Sequence, residues 1–520
     1  MTTPTSTPAT TQHRAVLAVT CLALATVVSA VASLNVALPS IARDTHASQT
    51  QLTWVIDAYA LVFAALLLLG GAIGDRYGRR RALLAGLVIF GAGSIAAMTA
   101  TNADVLIGLR GVLGLGAALV MPATLSTVTS TFPAEQKARA IGVWAGVAGG
   151  SAILGLLSSG LLLQAWSWRS VFALNVALAL AAITGTLRIV PESADPDAPS
   201  LDVVGALITV LGLGTLVYSI IAAPDAGWAS VRTLVGIGVG LVVLGGFLGW
   251  ELTRTNPLLD PRLFRHRAFT AGTVSITVQF FAFFGFVFLV LQYLQLVRGD
   301  SPLIAALSLI PMALAMMPCA RLAPRLADQL GNRWVCVVGL ALLAGALGVL
   351  AQLNDHNSYW LLLAGLLPLG AGMGLAMTPA TTAITDALPP AQQGIGSAMN
   401  DLSRELGGAL GIAVLGSVLQ AIYRHHLPLP GLPQPVAEHA RSSLVLANQL
   451  GAPVAQQAQA AFTAGMHTAL LYAAAAVVIA AITVAALLHR QARDLPDKTN
   501  AGEPGQRTAP LAAAGSTELP

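Results

Sequence analysis

The sequence predicts an all-α membrane protein of about fourteen spanning helices, and three observations support this prediction. First, 55% of the 520 residues are hydrophobic and only 10% are charged, whereas a soluble domain carries roughly 25% charged residues. Second, the chain contains fourteen apolar stretches of the length, about 20 residues, that crosses a bilayer as a helix. Third, a pattern in the first half of the chain returns about 250 residues later.

The candidate spans are separated by short segments that are polar or rich in glycine and proline. They begin near Ala15, Trp54, Ala82, Val105, Ala138, Val171, Leu201, Val231, Phe269, Pro302, Trp334, Ser358, Gly396 and Gly465. The apolar run after Arg14 is too long for the core of a signal peptide, so we interpret it as a retained first helix. These boundaries predict a disordered N-terminus (1–13), a first six-helix bundle (14–190), two inserted helices (201–252), a second six-helix bundle (268–490) and a disordered tail (491–520).

The basic residues predict the orientation. If the N-terminus lies in the cytoplasm, the cytoplasmic segments hold 19 of the 27 Lys and Arg residues and the outer segments hold six. This asymmetry obeys the positive-inside rule and favours an even number of spans. We therefore expect a multi-pass protein of the plasma (inner) membrane of a bacterium, with both termini in the cytoplasm.

Two motifs occur once in each half of the chain, in the same order. The Asp75-Arg-Tyr-Gly78-Arg segment after span two has a counterpart at Asp328-Gln-Leu-Gly331-Asn after span ten. About 45–50 residues later, Gly114-Leu-Gly116 is matched by Gly372-Met-Gly374. The repeat predicts two homologous six-helix bundles, as in many secondary transporters. Spans seven and eight have no counterpart and are predicted to be an insertion.

Several segments resemble one transporter family. Gly71-Ala-Ile-Gly-Asp75-Arg-Tyr-Gly78-Arg79-Arg-Arg resembles the loop-2/3 signature of the major facilitator superfamily. Asn35-Val-Ala-Leu-Pro39, Trp54-Val-Ile-Asp57-Ala-Tyr59 and Arg404-Glu405-Leu-Gly-Gly resemble its fourteen-helix drug:proton antiporter branch. The resemblance implies the major facilitator fold, with two six-helix bundles and two inserted helices. It also implies proton-coupled export of small amphipathic drugs or antibiotics by alternating access.

Two positions depart from the antiporter pattern. Ala30 stands where the branch usually has an Asp, and Leu156 stands where its fifth-helix signature has a Pro. An alternative therefore stays open, in which the protein is a facilitator or a proton symporter for a small metabolite.

The loop after span two is a candidate gate. Gly78 suits a tight connection, and Asp75 can accept hydrogen bonds from the free N–H groups at the start of a helix in the other bundle. Arg76 and Arg79 can add contacts between the bundles or with lipid headgroups. The predicted gating residues are Gly71, Asp75, Arg76, Gly78, Arg79, Asp328 and Arg333. In the alternative interpretation, the arginines only fix the topology.

Charges inside spans are functional candidates because each costs at least about 2.5–3.5 kcal/mol at the centre of a helix. Asp57, Arg110 and Glu405 are the predicted proton-coupling residues. Asp57 and Arg110 enter from the same side to similar depth, so they could pair, either as a proton site or as a static brace. On span thirteen, Arg404 can pair back to Asp401.

An aromatic cluster is the candidate substrate wall. Half of the 14 Phe residues lie in or just before span nine, and Gln279 and Gln292 flank this cluster of rings. Aromatic rings with an amide suit flat, partly polar molecules. We predict Asn35, Gln279, Phe283 and Phe286 as substrate-binding residues, with lipid-facing packing as the alternative for the phenylalanines.

Other functional classes lack their sequence signals. The nine His show no metal-ligand spacing, and no phosphate-binding loop occurs. No dense Lys/Arg block suggests nucleic acid, and no cluster of nucleophile and base suggests an enzyme. We expect no metal and no cofactor, with a proton gradient as the energy source. The expected partners are a small-molecule substrate, protons and the lipid bilayer, and we expect a monomer.

Overall fold

The computed structural model describes residues 8–195, 201–255, 257–354, 359–388, 393–429 and 432–494. In these ranges, fourteen helices are long and apolar enough to cross a membrane, as predicted. The first bundle contains α1 (Pro8–Thr45), α2 (Gln49–Tyr77), α3 (Arg79–Met98), α4 (Ala103–Thr131), α5 (Ala134–Ala165) and α6 (Arg169–Ile189). The insertion contains α7 (Val203–Ala226) and α8 (Val231–Thr253).

The second bundle follows a short 3₁₀ helix, Pro261–Arg265. It contains α9 (Arg267–Leu296), a tenth span divided into α10 (Pro302–Leu307) and α11 (Ile310–Leu330), α12 (Asn332–Leu350), α13 (Tyr359–Asp386), α14 (Gln393–His425) and α17 (Ala452–Asp494). Two short helices, α15 (Gln434–Ser442) and α16 (Leu444–Ala447), connect α14 to α17.

The helices of the two bundles pack in the same pairs, which confirms the predicted internal repeat. In the first bundle α2 and α3 both pack against α4, α1 packs against α5, and α6 packs against α1 and α3. In the second bundle α11 and α12 both pack against α13, α9 packs against α14, and α17 packs against α9 and α12. The inserted helices have no place in this correspondence.

Paired glycines bring neighbouring helices into backbone contact in both bundles. A Cβ added to Gly116 would lie 2.8 Å from the Gly86 carbonyl oxygen, and one added to Gly86 would lie 2.7 Å from the Gly116 oxygen. Gly339 and Gly372 face each other in the same reciprocal way, at 2.8 and 2.6 Å. The true counterpart of Gly116 is therefore Gly372. The predicted alignment of Gly114-x-Gly116 with Gly372-x-Gly374 is therefore wrong by two residues, because a sequence pattern alone does not show which residues touch.

The connections beside the two repeated aspartates each consist of one glycine. Gly78 joins α2 to α3 with a φ of 114°, and Gly331 joins α11 to α12 with a φ of 83°. Both lie in the region that glycine adopts readily and other residues avoid. The tenth span breaks at Ser308 because Pro311, at the start of α11, has no N–H to donate to the preceding turn.

We call the face of the protein that carries Arg76, Arg79, Arg80 and Arg81 the basic face, and the face at the α1–α2 connection the opposite face. The bundles contact each other close to the opposite face. Gln295 of α9 donates a 3.1 Å hydrogen bond to the Val36 carbonyl of α1. Gly160 of α5 contacts Leu303 of α10 in the other bundle, and Gly416 of α14 contacts Thr53 of α2.

The inserted helices lie outside the two bundles, as predicted. Helix α7 packs along both α2 and α14, so it covers one side of the boundary between the bundles. Helix α8 packs chiefly against α7, and Leu207 and Leu241 are both more than half exposed.

Some predicted boundaries differ from the structure. Residues 8–13, expected to be disordered, form the start of α1 with Pro8 in its first turn, because extending an existing helix costs little and proline is tolerated there. The last span begins at Ala452 rather than near Gly465. Residues 1–7 and 495–520 lie outside the described residues, so disorder at the termini stays a prediction there.

The glycine contact between α3 and α4 makes a testable prediction. Gly116→Ala should lower the melting temperature of the purified protein by several degrees, because the methyl group overlaps the α3 backbone and overpacking costs about 1–3 kcal/mol. Gly108→Ala on the same helix is the matched control, since no atom lies within 4 Å of its added Cβ. Equal melting temperatures for the two variants would contradict this account of the packing.

Candidate site at the boundary between the bundles

Asp57 is a fully buried carboxylate on the face of α2 that points toward the other bundle. It is 0% exposed, and neither of its oxygens has a hydrogen-bond partner among the described residues. One turn toward the opposite face, Thr53 contacts α14 at Gly416. One turn the other way, Leu61 packs in a cluster with α7 and with Ala413 of α14. Residues four apart share a helix face, so Asp57 lies at the α2–α14 boundary, about 12 Å along α2 from its start.

Arg110 is also fully buried, but it points into the first bundle. Its Nε donates a 2.8 Å hydrogen bond to the Val55 carbonyl, and its guanidinium lies 4.3 Å from the ring centroid of Tyr59. The predicted Asp57–Arg110 ion pair does not form among the described contacts. The reason is helical geometry: Val55 and Tyr59 share the face of α2 toward α4, whereas Asp57, two residues from each, points to the other side.

Tyr59 is a residue of this site that the sequence analysis did not predict, because it carries no charge. Its hydroxyl donates a 3.3 Å hydrogen bond to the Val27 carbonyl of α1, and its ring carries the Arg110 guanidinium. Tyr59 therefore joins the buried cation of α4 to both α1 and α2. Its position four residues after Val55 was the signal in the sequence.

The charges on α14 form a group of their own. Arg404 pairs with Asp401 at 3.8 Å, as predicted, and its guanidinium lies 4.8 Å from the centroid of the Phe280 ring. Glu405 is half-buried, about 18 Å along α14 from its start. Glu405 lies about three turns before Gly416 and so shares the face of α14 that contacts α2. Each bundle therefore contributes an acid, Asp57 or Glu405, to the boundary.

The four predicted substrate residues differ in exposure. Asn35, Gln279 and Phe286 are almost completely buried, while Phe283 is half-buried. Gln279 donates to the Ser275 hydroxyl of its own helix at 2.9 Å. Phe283 belongs to a cluster of mutually contacting rings on α9 with Phe280 and Phe284. In this conformation Phe283 is therefore the member of the set with a partly accessible side chain, and substrate binding by all four stays a prediction.

At the basic face, the candidate gate loop is held by its own bundle. Asp75 pairs with Arg79 at 2.9 Å, and the Asp75 carbonyl accepts from the Asp195 N–H at 2.8 Å. Glu192 accepts from the Arg80 N–H at 3.1 Å and pairs with Arg81 at 3.6 Å. The chain that follows α6 thus folds back over the α2–α3 loop.

The remaining predicted gating residues lie near the same face. Arg76 stacks on Tyr77, and Arg333 stacks on Trp334. Asp328 is exposed. Gly71 makes only an ordinary contact with Pro122, whereas the preceding residue, Gly70, is where the α2 and α4 backbones touch. The close approach therefore lies one residue earlier than the motif suggested, and a gating role for these residues stays a prediction.

Comparison with known proteins gives a consistent result. A model of the Major Facilitator Superfamily matches residues 20–412. The chain is 36% identical to the multidrug resistance protein Stp of Mycobacterium tuberculosis over 79% of this chain and 77% of that one. It is 32% identical to the multidrug efflux pump LfrA of Mycolicibacterium smegmatis over 93% and 99%. A bacterial homolog of the human lysosomal transporter Spinster, solved in an inward-facing and unoccupied conformation, superimposes with a TM-score of 0.65 at 18% identity over 94% and 99%.

The unpartnered Asp57 makes a prediction about stability. Asp57→Asn should leave the melting temperature of the purified protein at neutral pH unchanged or raise it, because an amide avoids the cost of burying a charge without a partner. Tyr423→Phe, in contrast, should lower it, because that change removes the 2.8 Å hydrogen bond from a buried hydroxyl to the Ala440 carbonyl. A clear loss of stability in Asp57→Asn would mean that Asp57 has a stabilising partner.

Proposed function

Because the chain belongs to the Major Facilitator Superfamily, we propose that it is a secondary active exporter of small amphipathic drugs or antibiotics, coupled to inward movement of protons. Two relatives, covering 79% and 93% of the chain, are a multidrug resistance protein and a multidrug efflux pump. The observation that carries the coupling is Asp57, a carboxylate without a partner that is buried where the two bundles meet.

The position of Asp57 suits a proton carrier that works by alternating access. While the bundles are together near the opposite face, Asp57 is closed off from water on that side. When they separate there, the α2–α14 boundary opens and the carboxylate reaches water. There it takes up a proton, and once the boundary has closed the proton passes to Glu405, which is half-buried nearer the basic face and releases it on that side. Glu405, from the second bundle, is the second acid in this proposal.

The arginine distribution supports assignment of the basic face to the cytoplasm of a bacterial cell, with both termini there. With that assignment, the contacts close to the opposite face close the outer gate, and we propose that the boundary is open on the cytoplasmic side. This is the state in which an exporter receives its substrate. In this proposal, Phe283 and its neighbouring rings are the first to bind a flat, partly polar substrate that enters from the cytoplasm.

One proton supplies sufficient energy. A charge that crosses 100 mV releases about 2.3 kcal/mol, and each pH unit adds about 1.4 kcal/mol. Their sum supports a substrate gradient of several hundred-fold, since each 1.4 kcal/mol corresponds to tenfold. A single carboxylate is therefore enough for uphill export.

We predict that Asp57→Asn abolishes uphill export while the protein still reaches the membrane, and that Glu405→Gln weakens it. An amide keeps the shape of the acid but carries no proton. The measurement is efflux of a fluorescent drug from energised cells, with and without a protonophore. Glu135→Gln, which changes an exposed acid at the start of α5, is the matched control and should export normally.

Two results would overturn parts of this proposal. If the variant with both amides still exports uphill and still fails with the protonophore, neither acid is the proton site. If the protonophore does not change export by the unaltered protein, export is not coupled to protons and the protein is a facilitator.

The gate makes a separate prediction. When the cytoplasmic side closes, Asp75 should leave Arg79 and approach the start of α14, and Asp328 should approach the start of α5. Asp75→Asn should therefore slow turnover several-fold with normal amounts of protein in the membrane. Asp386→Asn, which changes an exposed acid at the end of α13 on the same face, is the control and should turn over normally. Normal turnover in Asp75→Asn would refute the gate.

A further inference from the structure

The inserted helix α7 is tied to both bundles at the outer end of their boundary. The Asp225 carboxylate, near the end of α7, accepts a 3.1 Å hydrogen bond from the Thr50 hydroxyl of α2. Its other oxygen pairs with Arg424 of α14, also at 3.1 Å. One side chain of the insertion thus bridges the first and the second bundle.

Among the described residues, α7 makes more polar side-chain contacts with the second bundle than with the first. Besides the Arg424 ion pair, the buried Ser417 hydroxyl of α14 donates a 2.7 Å hydrogen bond to the Ile220 carbonyl of α7. On the α2 side, the polar contact among the described residues is the hydrogen bond from the neutral Thr50 hydroxyl, and the centroids of the Trp54 and Tyr218 rings lie 6.0 Å apart.

The packing at the outer end of α7 is loose on the side that faces α2. A cleft of about 370 Å³ lies between the outer ends of α2 and α7, lined by Thr50, Trp54, Tyr218, Ala222, Asp225, Ala226 and Arg232. Open space along one side of a helix means that fewer atoms hold that side. The outer ends of α2 and α7 are therefore loosely packed against each other, whereas deeper in the boundary Leu61 and Ala65 of α2 pack closely against α7.

The connection at the basic face also joins the insertion to the second bundle. Asp202, before α7, accepts a 2.8 Å hydrogen bond from Trp250 of α8 and pairs with Arg254 at 3.6 Å. The buried Glu251 carboxylate of α8 accepts from the Leu259 N–H, in the short segment that leads into α9. The α7–α8 hairpin is thus anchored to the chain that enters the second bundle.

We infer that α7 and α8 move with the second bundle during transport, and that the outer gate opens along the surface between α2 and α7. Asp225 is the positioning residue of this gate. It keeps Arg424 in both states and holds Thr50 only while the outer side is closed. This inference rests on the alternating-access movement of the proposed function, but not on the substrate or on the proton.

A contact that exists in both states cancels from the equilibrium between them, whereas a contact that exists in one state biases it. Loss of the Thr50–Asp225 contact should therefore favour the outward-open state. Loss of the Ser417–Ile220 contact should leave the equilibrium unchanged, because α7 and α14 move together and keep this contact in both states.

The test measures opening of the outer gate without any drug. Thr53, which is buried against Gly416 at the outer boundary, is changed to Cys in a chain whose Cys21, Cys319 and Cys336 are replaced by serine. The rate at which a membrane-impermeant maleimide labels Thr53→Cys from the outside reports how often the gate is open. The readout needs neither a substrate nor a proton gradient, so it stands even if the proposed export fails.

In this background, Thr50→Val should raise the labelling rate about fivefold, the change that one hydrogen bond of typical net strength produces in a two-state equilibrium. Asp225→Ala should raise it at least as much. Thr50→Ser, which keeps the hydroxyl, and Ser417→Ala should label at the rate of the parent.

Every other pattern overturns the inference. Faster labelling in Ser417→Ala with no change in Thr50→Val would mean that α7 moves with the first bundle. Faster labelling in both would mean that α7 moves independently of the two. No change in Thr50→Val and Asp225→Ala would mean that Asp225 does not hold the gate. Comparison of the amounts of each variant in the membrane separates these results from a failure to fold.

Discussion

The structure depends on the close approach of helix backbones at glycine. Inside a bilayer no hydrophobic force favours helix–helix contact over helix–lipid contact, so packing has to come from short-range dispersion and fit. Gly86 with Gly116, and Gly339 with Gly372, provide that fit at equivalent places in the two bundles. Each bundle is consequently a tightly packed unit that can move as one piece, and the boundary between the units is where the chain has freedom to change shape.

That boundary also carries the chemistry. Asp57 is buried there without a partner, and Glu405 lies on the facing bundle. Arg110, in contrast, is enclosed inside the first bundle by Tyr59 and the Val55 carbonyl. The bundle therefore holds its cation in place by a cation–π contact and a backbone hydrogen bond, while its acid faces the surface that moves. This separation leaves the acid free to respond to opening and closing of the boundary.

The sequence predicted the fold well because its signals are strong and local. Apolar length identifies spans, and the Asp75 and Asp328 loops mark the repeat, with Gly78 and Gly331 in the backbone conformation that such connections require. The site was harder to predict. Which face of α2 carries Asp57 depends on packing against α14 and α7, so the expected pair with Arg110 did not form. The tie from Asp225 to Thr50 and Arg424 joins residues about 175 and 199 positions apart, and no local pattern indicates it.

The strength of the gates is limited by the energy that drives them. One proton contributes a few kcal/mol, and a state that is stabilised by more than this would trap the transporter. Contacts at each gate must therefore be few and of modest strength. The Asp75–Arg79 pair at the basic face is partly exposed, and exposed ion pairs are typically worth about 0–1 kcal/mol. At the other face a neutral hydroxyl, Thr50, meets a half-exposed carboxylate, again a weak contact. The paired-glycine contacts of Gly86 with Gly116 and of Gly339 with Gly372 lie inside the bundles, where they persist in both states and do not oppose the movement.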